Sequence, residues 1–521
     1  MLERHWSRRR FLVTGALAAA AAGLPAGRLR AQTAQFTRYN LASAPGKKML
    51  EGYKTAIKAL LKLPPTDQRN WYRNALIHTL DCPHGNWWLF PWHRAYIGYF
   101  EQTVRQYSGM SDFAFPYWDW TASPQVPADF FGADNPLDPT SSYFIASFDA
   151  FKQQYEKPVN DFYAGLTPAQ QQALDTRSKL GGTPLSTAAQ LFAALDPSNP
   201  QGGDFFDGAA SRCLTAAQPA FAKPPSACTG NCVGTAKAVS QETINSALAP
   251  TTYVPFSSGS CPQHSGSSSI TGVLEGQPHN LVHNCTGGFM EAFMSPVDPI
   301  FFMHHSNIER YWLIWTDKQQ KAGKPTLPPK GTEYDDWAKE TFLFYVNSQG
   351  QTLSKTAGDF ATVGSFDYVY SPPTTMPAPK ARDAKTFASA AAMPADLVQQ
   401  AGAASDGPEL FAEVPVDPEG RPKDKVFHVL INPPAGLDPT DVSSPHHVAA
   451  VAFFGNHGHA GHGPTNFLVP LSPALRKMAK AGLLKKGEPI RLFVATEDQR
   501  EGATKAAKPV AKKVETAIQM F

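Results

Sequence analysis

Residues 275–283, Glu-Gly-Gln-Pro-His-Asn-Leu-Val-His, and residues 295–312, Ser-Pro-Val-Asp-Pro-Ile-Phe-Phe-Met-His-His-Ser-Asn-Ile-Glu-Arg-Tyr-Trp, decide the fold. His279 and His283 are four residues apart, so on a helix both imidazoles project from one face and can bind one metal ion. Asp298-Pro299 predicts the N-cap and first position of a second helix, which carries His305. The sequence therefore predicts two helices that face each other across an ion.

A second set of histidines lies upstream and consists of His78, His84 and His93. A helix is predicted from Pro91 to Tyr107, with His93 facing inward. Two groups of three histidines, with no carboxylate or cysteine interleaved as a ligand, favour copper, zinc or iron. Three-histidine sites leave open positions that copper can use, and two cuprous ions together hold the two electrons that reduce dioxygen to peroxide.

These motifs resemble those of the tyrosinases, catechol oxidases and haemocyanins, which are the type 3 copper proteins. The resemblance rests on residues 84–94, 278–283 and 298–312 and covers roughly residues 40–372. It implies a mainly α central domain, a four-helix bundle with long loops, that binds two copper ions. It also implies an oxidoreductase that uses dioxygen on small phenols. The implied ligands are three histidines for each ion: His78, His84 and His93, then His279, His283 and His305.

The resemblance also assigns roles beside the metals. Cys82 stands in the Cys-x-His arrangement that implies a thioether link to His84. Glu275 and Asn280 resemble the pair that holds a water able to take the proton of a phenol. A phenol has a pKa near 10, so a base close to the metal would help it to bind at neutral pH. The gate residue above the first copper falls at Ala292 or Phe293, and the register between them stays open.

Four further side chains are expected around the ligands: Asp298, His304, Glu309 and Arg310. His304 is interpreted as a packing residue, because neighbouring side chains on a helix point about 100° apart. Glu309 stands where the family has aspartate, and we expect it to reach Arg310 or a neighbouring segment. Asp298 is expected to cap its helix and to order Arg310 or Arg94. The short spacing between His78 and His84 also departs from the family pattern.

The chain divides into four predicted parts. Residues 1–31 resemble a twin-arginine export signal, with Arg8-Arg9-Arg10 before an apolar run too short for a membrane span, which predicts a periplasmic or secreted protein. Residues 32–372 form the dicopper domain and residues 373–384 a linker. Residues 385–521 form a smaller, mostly β domain that resembles the trailing domain of plant-type polyphenol oxidases and is expected to cover the active site.

Composition sets further bounds. A hydrophobic content of 42% and a charged content of 17% indicate a globular protein, and a net charge of +3 gives no basic surface for nucleic acid. Besides Cys82, the other cysteines predict two disulfides and one unpaired thiol, with the pairing open: Cys213, Cys228, Cys232, Cys261 and Cys285.

The predicted activity is oxidation of o-diphenols to o-quinones, with hydroxylation of monophenols left open. The alternatives are an o-aminophenol oxidase, a haemocyanin-like dioxygen carrier and, from another class, a zinc hydrolase. The sequence does not give the oligomeric state.

Overall fold

The computed structural model describes most of the chain from residue 34 onward. The predicted export signal, the linker 373–384 and the histidine-rich loop at His457–His462 lie outside the described residues. The described ranges are 34–179, 183–199, 203–206, 212–221, 232–260, 264, 270–372, 385–387, 395–403, 409–417, 425–455, 465–484, 489–498 and 512–520.

Helices build the first part of the molecule, as predicted. One π turn, Glu275–His279, runs directly into the tenth helix. The helices are α1 Ala44–Leu60, α2 Trp71–Asp81, α3 Leu89–Tyr107, α4 Phe148–Ala164, α5 Pro168–Lys179, α6 Ala188–Leu195, α7 Thr235–Ala238, α8 Gln241–Ala247, α9 Tyr253–Ser257, α10 Asn280–Thr286, α11 Ile300–Lys321, α12 Thr332–Lys339, α13 Ala395–Ala403 and α14 Ser472–Lys480.

Strands dominate the second part. Among the described residues of both parts, the strands in chain order are β1 Phe36–Tyr39, β2 Ile270–Thr271, β3 Thr341–Val346, β4 Thr352–Thr356, β5 Tyr368–Ser371, β6 Lys385–Phe387, β7 Leu410–Val416, β8 Lys425–Ile431, β9 His447–Ala452, β10 Thr465–Pro470, β11 Leu492–Asp498, β12 Lys512–Val514 and β13 Ala517–Met520. The strands from β6 onward belong to the second part. A five-stranded sheet has the order β2-β10-β7-β13-β6, and a four-stranded sheet has the order β12-β11-β8-β9. The predicted class, an α-helical core with a smaller β-rich region, is confirmed.

The two parts have separate hydrophobic cores but share one sheet. The larger core is built around buried aromatic side chains of α2, α3 and α11, and the smaller core lies between the C-terminal strands and α14. Strand β2 belongs to the helical part, yet it pairs in parallel with β10, where Ile270 lies opposite Asn466. Backbone hydrogen bonds therefore join the C-terminal sheet to the segment that leads into the π turn.

Several boundaries differ from the prediction. Pro64-Pro65-Thr66-Asp67 predicts the start of the helix that carries His78. That helix instead begins after Asn70, whose side chain accepts hydrogen bonds from the N–H groups of Tyr72 and Arg73. The sequence predicts weak order from about Pro124 to Gly272, with helices only near 168–180 and 187–195. This prediction missed α4, where Phe148, Phe151, Tyr155 and Val159 form one buried stripe. Strand β7 was also missed.

Disulfides connect the helical part internally. Cys232 is bonded to Cys285, which joins the segment before α7 to α10. Cys213 is disulfide-bonded as well, while Cys228 and Cys261 lie outside the described residues. Within the part of the chain that the structure describes, no helix is both long enough and apolar enough to cross a bilayer.

Candidate metal centre

The upstream histidines come from α2, from the loop after it and from α3. His78 lies in the last turn of α2, and its Nδ1 lies 2.7 Å from the carbonyl oxygen of Phe293. His93 lies in the first turns of α3, and its Nδ1 lies 2.8 Å from the carbonyl of Leu89, one turn earlier. A carbonyl only accepts, so each Nδ1 carries the proton and each Nε2 keeps a lone pair.

The downstream histidines come from the π turn and from α10 and α11. His279 donates from Nδ1 to Oδ1 of Asn280 at 2.7 Å, and His283 donates from Nδ1 to the carbonyl of Met290 at 2.6 Å. These bonds fix the tautomer that leaves Nε2 free to bind a metal ion. His305 then approaches from α11, and its Nε2 lies 3.1 Å from Nε2 of His283.

His304 has the opposite tautomer. The indole N–H of Trp120 donates to its Nδ1 at 3.2 Å, and an indole nitrogen can only donate. Neutral His304 therefore carries its proton on Nε2, which leaves that atom without a lone pair for a metal ion. This geometry supports the interpretation of His304 as a packing residue, although it lies in the same buried group as His279, His283 and His305.

The two histidine groups face each other. The ring centroids of His84 and His279 are 5.5 Å apart, and those of His93 and His305 are 3.9 Å apart. Within each group, one candidate ligand atom per residue lies within 4.8 Å of the others, and all the side chains are buried. The arrangement fits two ions that are near neighbours.

Two observations show that these residues fit metal ions. Four histidine nitrogens are buried without a hydrogen-bond partner among the described residues: Nε2 of His279 and of His304, and Nδ1 of His84 and of His305. An unpaired buried nitrogen is costly unless an ion binds it or its neighbours. Burial, and then the neighbouring imidazoles, lower the pKa values, which keeps the rings neutral. Burial lowers the pKa of His279 to about 4 and holds five other pKa values well below the usual range: those of His84, His93, His283, His304 and His305.

Cys82 lies at the upstream group. Its free thiol is buried, with Sγ 3.9 Å from Nε2 of His84 and 3.5 Å from Nε2 of His93. Burial raises the pKa of this thiol well above its usual range. The predicted thioether to His84 stays a prediction, and the position of Sγ is compatible with it.

Glu275 is buried beside the upstream loop. One carboxylate oxygen accepts from the N–H of Gly85 at 2.5 Å, and the other accepts from the hydroxyl of Ser258 at 2.5 Å. Burial raises the pKa of Glu275 to about 7, although the two donors oppose that rise. Asn280 lies nearby and donates from Nδ2 to the carbonyl of Ala452 at 2.7 Å.

The structure corrects the expected partners of the acidic residues. The N-cap of α11 is Pro299 rather than Asp298, although Asp298 accepts from the N–H of Ile300, the first helical residue, at 3.0 Å. The ion pair of Asp298 is with Arg212, at 2.6 and 2.8 Å, rather than with Arg310 or Arg94. Sequence spacing cannot reveal this pairing, because Arg212 lies 86 residues upstream.

Glu309 does not reach Arg310. It pairs with Arg94 at 3.0 Å and accepts from the hydroxyl of Tyr370 at 2.6 Å, so the neighbouring segment is its partner. Arg310 instead donates to Asn307 at 3.1 Å, and its guanidinium lies over the ring of Tyr117.

Phe293 lies against the histidines, with its ring centroid 5.3 Å from that of His84 and 5.7 Å from that of His78. Ala292 is buried next to it in the chain. Both gate candidates thus stay under consideration, with Phe293 supplying a ring against the upstream group.

Phe454 lies at the histidines and was not predicted from the sequence. It follows β9 in the C-terminal part, and its ring centroid lies 4.5 Å from that of His84 and 4.5 Å from that of His283. It also packs at 5.3 Å against Phe293. Asn284 donates to the carbonyl of Phe453 at 2.9 Å and so holds this segment over the site. Only the Phe453-Phe454-Gly455 ending of the strand offered a sequence signal.

Two buried groups of histidines on a helical core form a site that can hold two metal ions. Residues 65–318 match a family model described as the common central domain of tyrosinase. Residues 65–318 therefore form a tyrosinase-type central domain.

Relatives agree with this assignment. Tyrosinase HcTyr1 of Hahella sp. (strain CCB-MM4) is 26% identical over 309 residues, which cover 56% of this chain and 47% of that protein. A chloroplastic polyphenol oxidase of Spinacia oleracea is 26% identical over 323 residues, which cover 57% of this chain and 41% of that protein. The chain thus spans about half the length of the curated relatives it matches.

Solved structures show the same fold. A latent aurone synthase (polyphenol oxidase) aligns with a TM-score of 0.54 and 16% identity, covering 94% of this chain and 89% of that one. A functional unit of octopus haemocyanin aligns with a TM-score of 0.52 and 15% identity, covering 93% and 99%. The fold is therefore shared by proteins described as an oxidase and as a haemocyanin.

Proposed function

We propose that the protein is a copper-dependent phenol oxidase that uses dioxygen to convert o-diphenols into o-quinones. The observation that carries the proposal is the pair of facing groups, in which hydrogen bonds at Nδ1 aim the Nε2 lone pairs of His78, His93, His279 and His283 at two neighbouring positions. His84 and His305 complete the two proposed sets of three ligands. Two copper ions bound there would supply the redox chemistry with dioxygen.

The remaining chemistry belongs to the chain. Glu275 is a candidate base for the phenolic proton, since its pKa of about 7 is close to the pH at which a general base works best. Asn280 fixes the orientation of His279 through their hydrogen bond. Phe293 offers an aromatic wall for a phenolic ring beside the upstream group.

The C-terminal part closes the site in our proposal. The ring of Phe454 occupies the space above His84 and His283 where a phenol would enter. The carbonyl of Ala452 accepts the hydrogen bond of the Asn280 amide. We infer that the intact chain is latent and that displacement of this segment opens the site. The predicted export to the periplasm or medium stays a prediction.

Metal loading combined with turnover tests the proposal. The full-length protein, loaded with copper or with zinc as the matched control, is analysed for metal content and assayed with catechol, a monophenol and an o-aminophenol under air and under argon. The proposal expects two coppers per chain and catechol oxidation that requires both copper and dioxygen, after mild detergent or limited proteolysis. Hydrolytic activity of the zinc form, without oxidation by the copper form, would contradict it.

A dioxygen carrier is the second candidate. The covering rings of Phe293 and Phe454 favour it, because dioxygen is small enough to pass where a phenol is not. A copper-loaded protein that binds dioxygen reversibly, and that still fails to oxidise catechol after the C-terminal part is displaced, would replace the oxidase by this carrier.

A further inference from the structure

Ser258 has an unusual backbone conformation directly after α9. Its φ of 98° and ψ of 163° lie in a region that glycine occupies almost alone, and such strain costs about 1–3 kcal/mol. The side chain is fully buried. The residue after it is Gly259, so a glycine stands one position away from the place where the backbone would favour it.

The hydroxyl of Ser258 has a defined direction. The N–H of Gly272 donates to its oxygen at 2.9 Å, so the hydroxyl proton is left for another acceptor. That acceptor is Oε2 of Glu275, at 2.5 Å. Because the N–H of Gly85 holds Oε1, both oxygens of the carboxylate are fixed by one donor each. The backbone N–H of Ser258 is anchored to the carbonyl of Val254 at 3.0 Å.

We propose that Ser258 is a positioning residue for the reaction, and that its hydroxyl holds the Glu275 carboxylate in the orientation that accepts the phenolic proton. This inference rests on the proposed function. In that step the O–H bond of the phenol breaks, an O–H bond forms on the carboxylate, and Ser258 keeps its own proton. Nothing is oxidised or reduced in this step.

The need for a turn alone does not explain this serine. If the chain needed only a turn here, glycine at position 258 would form it without strain. The hydroxyl has one acceptor, the carboxylate, and one donor, the N–H next to β2. Strain that persists at a buried hydrogen bond to a candidate base is the pattern expected of a residue kept for its side chain.

Two substitutions separate the hydroxyl from the strain. Ser258→Gly removes both, and Ser258→Ala removes the hydroxyl while keeping a Cβ in the strained conformation. Ser257→Ala is the matched control, because it removes a buried hydroxyl one residue away that donates to the carbonyl of Ser258, at 3.1 Å, rather than to Glu275. All are made in the full-length chain carrying Phe454→Ala to open the site, loaded with copper, and checked for two coppers per chain.

The assay is a series of 4-substituted catechols that runs from weakly acidic members to 4-nitrocatechol, which is already ionised at the assay pH. We expect both Ser258 variants to lose about tenfold in kcat/KM on the weakly acidic substrates and almost nothing on 4-nitrocatechol. Ser257→Ala should follow the parent across the series. Both Ser258 variants lose the same two buried hydrogen bonds, so thermal unfolding should show Ser258→Gly, which also loses the strain, to be more stable than Ser258→Ala.

Other outcomes overturn the inference in distinguishable ways. An equal loss on every substrate would show a structural role, and no loss on any would show that the hydroxyl is dispensable. A parent that binds two coppers and oxidises none of the catechols would refute the proposed function itself, and with it this role of Ser258.

Discussion

The buried carboxyl of Glu275 makes the stability of the metal-free protein depend on pH. Burial raises its pKa from the ordinary 4.5 to about 7 in the folded protein. Below pH 4.5 the carboxyl is protonated in both the folded and the unfolded chain, so its contribution there is constant. Between 4.5 and 7 the unfolded chain releases the proton and the folded protein keeps it, so the free energy of unfolding falls as the pH rises.

Glu275→Gln removes that dependence. At about 1.4 kcal/mol for each pH unit, the interval from 4.5 to about 7 amounts to roughly 3 kcal/mol. We therefore expect the variant to gain about 3 kcal/mol relative to wild type between pH 4.5 and pH 7.5. Other groups that titrate in this range, His279 among them, are common to both proteins and cancel in the difference.

Urea unfolding of the chelator-treated protein, followed by tryptophan fluorescence at several pH values, measures this difference. The exposed Glu333→Gln variant is the control, and its difference from wild type should not show the rise. A difference between Glu275→Gln and wild type that stays flat from pH 4.5 to pH 7.5 would refute the assignment of a raised pKa to Glu275. It would also weaken the case for that residue as the base.

Three other substitutions test separate parts of the structure. Phe454→Ala should raise kcat/KM for catechol in the copper-loaded full-length protein at least tenfold without proteolysis, and an unchanged value would show that this ring does not close the site. Arg212→Met leaves the carboxylate of Asp298 buried and unpaired, and urea unfolding should show a loss of about 3–5 kcal/mol. Adding Asp298→Asn should recover part of that loss, and no recovery would argue against the ion pair. His305→Gln should lower the copper content to one ion per chain while His304→Gln keeps two, and the reverse result would exchange their roles.

Local patterns predicted much of the helical core. Histidines and aromatic residues at intervals of three and four placed α3 and α11 within two residues of their observed starts. In the C-terminal part, runs of β-branched and aromatic residues that end at prolines and glycines predict strands at 425–432, 448–454 and 466–471. The bounds of β8, β9 and β10 lie within one or two residues of these ranges. Such patterns depend only on neighbours along the chain.

Misses arose where a local signal was mixed or where the cause lies far away in sequence. Helix α4 carries an apolar stripe at helical spacing, but Pro158 inside it argues against a helix on propensity alone. Strand β7 contains Pro415, which likewise lowers the expectation of a strand. Packing of both elements against their cores outweighs these local costs.

The partners of charged residues could not be predicted. Asp298 had several arginines available, and only the tertiary fold brings Arg212 to it. Phe454 reaches the histidines because the amides of Asn280 and Asn284 donate to the carbonyls of Ala452 and Phe453, just before it in the chain. These contacts span more than 160 residues, so no periodicity in the sequence encodes them.

The parallel pairing of β1 with β5 determines where the chain can be cut. Phe36 lies opposite Tyr368, so the first and last strands of the helical part lie side by side. Arg38 of β1 pairs with Glu101 at 2.9 Å and lies over the ring of Tyr368. It also donates to the hydroxyl of Tyr370 at 3.0 Å, and this donor would lose its partner if β5 were removed. A protease that cleaves before Tyr368 would expose these buried charges, whereas one that cleaves beyond Ser371 would leave them covered. A cut that leaves the helical part intact therefore has to fall after β5.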